Sequence, residues 1–206
     1  MIFARALTCV LMMTALHAKA ETCETTSARA PLGLVFTRGT DLRQPVNIQW
    51  TLDKTNLKAR FEVKTPTIHS KPVLGPGEYP YQFDVVEIFI SVADPAQKNL
   101  PYYEFEVTPL GQTLQVKIND PKKKFEEGID MGLKISTQKI AGGWTAEMTV
   151  PLENLNWNGR VPQITGNAYA ILGKSPNRSF WSQFMPALPK PNFHQPQYFK
   201  PLFKCR

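Results

Sequence analysis

The stretch DVVEIFISV, Asp84–Val92, followed by YYEFEVTPLG, Tyr102–Gly111, and TLQVKI, Thr113–Ile118, decides the fold class. Side chains alternate with a period of two, and β-branched and aromatic residues dominate. That is the pattern of extended strands, whose successive side chains point to opposite faces. The Pro109-Leu110-Gly111 break between the last two runs fits a hairpin, with its turn at Leu110-Gly111. In YYEFEV, alternation puts Glu104 and Glu106 on one face and Phe105 and Val107 on the other. The expectation is exposed carboxylates and a buried Phe105-Val107 face.

The same period runs outward in both directions. VNIQWTL (Val46–Leu52) and LKARFEVKT (Leu57–Thr65) precede this stretch. GLKISTQKI (Gly132–Ile140), WTAEMTV (Trp144–Val150), GNAYAILGK (Gly166–Lys174) and RSFWSQF (Arg178–Phe184) follow it. A second hairpin is expected to turn at Gly142-Gly143. No segment keeps a 3.6-residue period for long, and PLENLNW (Pro151–Trp157) suits a single helical turn started by its proline. With 18 prolines and about nine to ten short strands, the chain is expected to be all-β. The architecture predicted is an antiparallel β-sandwich, Ig-like or jelly-roll-like. Two Pro-rich stretches, His69–Tyr81 and Pro186–Pro201, read as long loops, which in sandwiches gather at strand ends and carry binding.

Residues 1–20, MIFARALTCVLMMTALHAKA, read as a signal peptide: Arg5, then an apolar run, then Ala18-Lys19-Ala20 as cleavage site. Cleavage near Ala20 leaves one exported domain, residues 21–206, in the periplasm or outside the cell, and no segment is apolar for long enough to span a membrane. Two cysteines remain, Cys23 and Cys205, one near each end. In an oxidising compartment such a pair is expected to form a disulfide closing nearly the whole chain. The net charge of +7 is a mild excess, and the PKKKF run (Pro121–Phe125) runs straight into Glu126 and Glu127. It reads as a solvated turn, and no nucleic-acid partner is expected.

Several chemistries are missing. There is no G-x-S-x-G, no phosphate-binding loop and no dinucleotide fingerprint, and His69 and His194 have no zinc-ligand spacing. Asp84, Glu87, Glu104 and Glu106 lie on neighbouring strands, where a pair would serve glycoside cleavage only at a defined separation. No catalytic residue is assigned. A structural calcium near Asp84 or Asp94 is compatible with the oxygen ligands there, without a spaced loop to hold it. No other cofactor is expected.

Aromatic rings bind sugars by stacking on the apolar face of a pyranose. Trp50, Phe61, Phe89, Phe105 and Trp144 fall inside strands and read as core. Tyr79, Tyr81, Phe193, Tyr198 and Phe199 fall in the two Pro-rich loops. Six segments occur in order: YQFDVVEIFI, YYEFEVTPLGQTL, GGWTAEMTVPLENL, GNAYAILG, FWSQF and NFHQPQYFKPLF. Together they resemble the family 9 carbohydrate-binding modules and their stand-alone bacterial relatives, within the wider DOMON-like group.

That resemblance implies a sandwich that binds a saccharide without cleaving it. It implies that Tyr81, three residues before Asp84, and Phe193, three before Pro196, clamp the sugar where the family commonly has tryptophan. Lys190, Asn192, Gln195 and Asn167 would supply rim hydrogen bonds, and Trp181 would be core. His194 would order the loop or touch the ligand. The chain departs from the family at Lys200, Ala170 and Gln112–Gln115, where glycine, arginine and an aspartate are frequent. The resemblance also leaves two other readings. One is a haem-binding electron-transfer domain using Met131, Met148 or Met185 as axial ligand, and the other is an interaction module whose sugar site has decayed. Within KPNFHQPQYFKPLF (Lys190–Phe203), Asn192–Pro196 reads as a binding lip with Phe193 exposed. Tyr198-Phe199 onward reads as the last strand, with Phe199 and Phe203 facing inward.

Overall fold

The computed structural model describes residues 23–25, 29–38, 46–93, 95–123, 125–157 and 163–205. The signal peptide and its cleavage site lie outside the described residues, as do Asp94 and the side chains of Cys23 and Cys205. In chain order the strands are β1 (Cys23–Thr25), β2 (Arg29–Pro31), β3 (Gly33–Thr37), β4 (Val46–Leu52) and β5 (Asn56–Lys64). Then come β6 (Val85–Ser91), β7 (Tyr102–Val107), β8 (Thr113–Ile118), β9 (Glu126–Glu127) and β10 (Lys134–Ile140). The last are β11 (Gly143–Pro151), β12 (Gln163–Leu172), β13 (Ser179–Ser182) and β14 (Lys200–Cys205). The expected helical turn after Pro151 is a 3-10 turn, Leu152–Leu155.

These strands form two antiparallel sheets, as the alternation predicts. The larger runs β1-β14-β12-β6-β7-β8-β9, with β13 also on β12 and β3 on β13, and the smaller runs β10-β11-β5-β4-β2. Both expected hairpins are present, β7–β8 and β10–β11. The second turns one residue earlier than expected. Gly142 takes the left-handed φ of +72°, and Gly143 already pairs with Lys64 of β5. A Cβ on Gly143 would stand 1.9 Å from the Val63 carbonyl oxygen, so only glycine fits.

The main core lies between the sheets. Phe61, Phe105, Trp144, Met148, Ile88 and Phe203 all sit in it without solvent contact, and Trp50 and Trp181 are nearly as buried. Fully burying one such side chain contributes about 1.5–3 kcal/mol. A second apolar cluster sits on the outer face of the larger sheet and includes Val85, Phe89, Tyr102, Val116, Ile118, Tyr169, Phe193 and Phe199.

This second cluster corrects the sequence reading of the central strands. β6 and β7 are buried on both faces, and Glu104 and Glu106, expected in solvent, are 5% and 1% exposed. Two loops cause this by folding over the outer face: residues 79–83, and the long segment joining β13 to β14. Strands β13 and β14 pair with opposite ends of the same edge of β12. The chain between them must therefore loop out of that edge and back, which carries Phe193 onto the sheet. The last strand also starts later than expected. Phe199 ends the 3-10 turn Pro196–Tyr198 and packs in the outer cluster, whereas Phe203, in β14, packs in the main core.

Candidate functional site

Strand register builds the floor of the site. In one row Tyr169 of β12 pairs with Glu87 of β6, Glu87 with Glu106 of β7, and Glu106 with Leu114 of β8. In the next, Asn167 pairs with Phe89, Phe89 with Glu104, and Glu104 with Val116. These residues share one face, so Glu87, Glu104 and Glu106 gather at the centre of the outer face of the sheet. One carboxylate oxygen from each lies within 4.8 Å of the other two.

Above this floor is an open cavity of about 430 Å³. Its walls bring together Tyr81, Phe125, Glu127, Phe180, Asn192, Phe193 and His194. Four sequence-predicted residues, Tyr81, Phe193, Asn192 and His194, thus meet at one place, although they come from loops more than a hundred residues apart.

Tyr81 is placed by a network of backbone clamps. It sits in the 3-10 turn Pro80–Gln82. Asp84, at the end of that turn, accepts hydrogen bonds from the amides of His69 (2.8 Å) and Gly173 (2.7 Å). Arg178 Nη2 donates to the carbonyl oxygens of Tyr81 (2.7 Å) and Phe83 (2.8 Å). The Tyr81 backbone amide lies near the Glu106 carboxyl and favours its charged form. Tyr79 stacks on the Tyr81 ring, centroids 5.2 Å apart and planes 10° from parallel, and Tyr81 remains 40% exposed.

Phe193 differs from expectation. It is only 8% exposed and lies flat on Tyr169, with centroids 4.3 Å apart and an interplanar angle of 20°. The Tyr169 hydroxyl donates to the Phe193 carbonyl at 3.3 Å. One face of the phenyl ring is therefore occupied, because the outer sheet face needs an apolar cover as much as the loop needs an anchor.

His194 fixes the same loop to the floor. Its Nδ1 lies 2.9 Å from the Tyr102 hydroxyl, and its ring packs on Phe125 at 4.5 Å. Nε2 stands 3.9 Å from Glu104 Oε2. Burial pushes the imidazole down to about 4, so it is neutral at pH 7 and forms no ion pair there.

The remaining predicted residues lie elsewhere. Asn192 is exposed on the rim. Gln195 folds back, its Nε2 donating to the Asn192 carbonyl at 2.8 Å, and lines a neighbouring groove with Pro121 and Lys122. Lys190 is exposed and not in the cavity wall. Asn167 is fully buried, and its Oδ1 accepts from the Ala168 amide, the Ser182 hydroxyl and the Phe184 amide. It holds the β13 end to β12 instead of facing a ligand. Met131, Met148 and Met185 are packed in the two apolar clusters, away from the cavity.

Sequence reasoning missed the acidic floor. Burial raises Glu87 and Glu106 well above the usual carboxylate range and pushes Glu104 up to about 7. The closeness of Glu87 and Glu104 adds to the rise at Glu106. Glu87 Oε1 and Glu106 Oε2 have no hydrogen-bond partner. The legible signal was parity: Glu87 shares its strand face with Phe89, and Glu104 and Glu106 share theirs with Tyr102. Large rings on the same face as the acids argue that the face is covered.

The backbone path of this scaffold matches solved structures. The fold is that of the family 9 carbohydrate-binding modules. The chain superposes on a candidate carbohydrate-binding protein from Bacteroides uniformis ATCC 8492 with a TM-score of 0.65 at 19% identity, over 83% of each chain. It also superposes on a family 9 carbohydrate-binding module from Caldicellulosiruptor kristjanssonii in complex with glucose. There the TM-score is 0.55 at 14% identity, over 82% of this chain and 81% of that one. A cellotriose complex of such a module from the same organism gives 0.53 at 14%, over 82% and 80%. No family model and no curated protein matches the sequence.

Proposed function

We propose that the chain is an exported, non-catalytic carbohydrate-binding domain that takes a saccharide in the cavity beneath Tyr81. One observation carries this reading. Tyr81, Phe193, Asn192 and His194 converge on a single open cavity of about 430 Å³, on a scaffold that other proteins use for glucose and cellotriose. Tyr81 is the stacking platform, since its ring is the most exposed of the loop aromatics, and Phe193 forms the opposite apolar wall. Asn192 and the glutamate floor provide hydrogen-bond partners for hydroxyls.

The carboxyl geometry supports binding over cleavage. A glycosidase needs its two carboxyls on either side of the scissile bond, about 5–9.5 Å apart. Here one carboxylate oxygen from each of Glu87, Glu104 and Glu106 lies within 4.8 Å of the other two, closer together than that arrangement needs.

Export follows from the leader sequence, with Cys23 and Cys205 joined in a disulfide. The backbone register pairs Cys23 directly with Cys205 across β1 and β14. Directly opposed antiparallel residues have Cα atoms about 4.5–5.5 Å apart, a span that a disulfide bridges.

Titration calorimetry with glucose and cellotriose tests the assignment. Tyr81→Ala is expected to weaken binding at least about tenfold, on the scale of one lost stacking platform. The melting temperature should stay within a few degrees of wild type, because the ring is largely in solvent. Wild-type affinity in Tyr81→Ala would remove Tyr81 from the site, and absence of binding to any saccharide would end the carbohydrate reading.

A further inference from the structure

The cavity is acidic in a basic protein. The chain carries a net charge of +7, yet four glutamates, Glu87, Glu104, Glu106 and Glu127, line the cavity without a lysine or arginine among the described lining residues. Arg178 acts on Glu87 through space, but its Nη2 is committed to two backbone carbonyls. Among the described lining residues the only base is His194, which burial keeps neutral at pH 7.

Three buried carboxyls so close together require neutralisation, by protons or by a cation that enters from outside. Two oxygens await a donor: Glu87 Oε1 and Glu106 Oε2 are buried and unpartnered, on side chains 2% and 1% exposed. A neutral sugar hydroxyl can satisfy one of them but cannot take the place of the protons, whereas a cation can, with the carboxyls in their charged form.

The surroundings favour an organic cation over a metal ion. Calcium takes about six to eight oxygens, and magnesium retains several waters. Beyond the glutamates the walls are largely apolar, Phe89, Val116, Phe125, Phe180 and Phe193 among them, and of the described lining residues only Tyr81 and Asn192 add a side-chain oxygen. Aromatic walls over a carboxylate floor are the arrangement that holds alkylammonium groups, through cation–π attraction and charge-assisted hydrogen bonds.

We propose that the cavity takes its saccharide by a free amino group: a hexosamine unit whose primary ammonium docks between Glu87 and Glu106 while its ring lies against Tyr81. This rests on the carbohydrate reading above and narrows it to amino sugars that are not N-acylated. The N-acetyl group removes the charge and adds bulk, so acetylation abolishes the advantage.

Calorimetry of the full chain at pH 7 against three β-1,4-linked trisaccharides tests this: glucosamine trimer, N-acetylglucosamine trimer and cellotriose. The glucosamine trimer is expected to bind at least about tenfold tighter than the other two. In Glu87→Gln and in Glu106→Gln, each near-isosteric, the preference is expected to shrink to within about threefold. The wild-type ranking decides the matter even if a variant fails to fold. Cellotriose binding as tightly as the glucosamine trimer would overturn the amino-sugar inference and leave the carbohydrate reading intact. Failure of all three trisaccharides would overturn both. Calcium chloride alone binding wild type but not Glu87→Gln, and removing any glucosamine preference, would assign the floor to a metal ion and likewise overturn the inference.

Discussion

Phe193 and Tyr81 sit in the same cavity wall, but their side chains do different work. Phe193 is stacked on Tyr169 and 8% exposed, so it holds its loop to the sheet as well as lining the cavity. Phe193→Ala is expected to cost about 3 kcal/mol or more of stability, as a buried phenyl deletion does. Urea denaturation reads that directly, and a stability equal to that of Tyr81→Ala would show that the stack contributes nothing. The glutamates set the pH response. Between Glu104's ordinary 4.5 and its folded value of about 7, the folded protein holds protons that the unfolded chain releases. Stability from these carboxyls is therefore present at acid pH and is lost as pH rises through about 7. His194 acts oppositely, but only between about 4 and its ordinary 6.5. Above pH 6.5 the glutamates alone govern, so the melting temperature is expected to fall from pH 6.5 to 8. Glu104→Gln should flatten that slope, and a melting temperature that rises over this interval would contradict the assignment.

At the level of elements, register converts a sequence alternation into a site. Glu87 lies opposite Glu106 because β6 and β7 pair through Val86↔Val107 and Phe89↔Glu104, and a slip of one residue would bury different side chains. The hairpin β10–β11 is fixed by Gly143, whose hydrogen faces the Val63 carbonyl oxygen. Gly143→Ala forces β11 away from β5, and a loss of more than about 2 kcal/mol is expected. Thermal unfolding checks this: a melting temperature near wild type would mean the strands part without penalty. The tyrosine turn and the Phe193 segment are loops in the hairpin sense, yet each is pinned. Asp84, Arg178 and the Tyr102–His194 pair hold them. Strand alternation was legible here, as were both hairpins and the single turn after Pro151. The cover over the outer face was not, because nothing local to YYEFEV reports where residues 193–194 fold.

Across the whole molecule, β1 and β14 bring the two ends of the described chain together, with Cys23 opposite Cys205. A disulfide there closes a loop of nearly the full domain, worth about 4–5 kcal/mol in the chain-entropy account. Reduction of the exported protein, or Cys23→Ser, is expected to lower the melting temperature by several degrees. Equal melting curves with and without reductant would argue that the thiols are unpaired. By itself the sequence determined the all-β class, the strand segments, the loop aromatics and the six-segment likeness, because period, turn residues and order along the chain are local properties. Only the tertiary structure decided that Glu87, Glu104 and Glu106 share a covered floor, that Phe193 is half of a stack, and that Asn167 and Gln195 do not line the cavity. Those outcomes depend on which loop lies over which sheet face, and that is set by strand pairings between residues far apart in the chain.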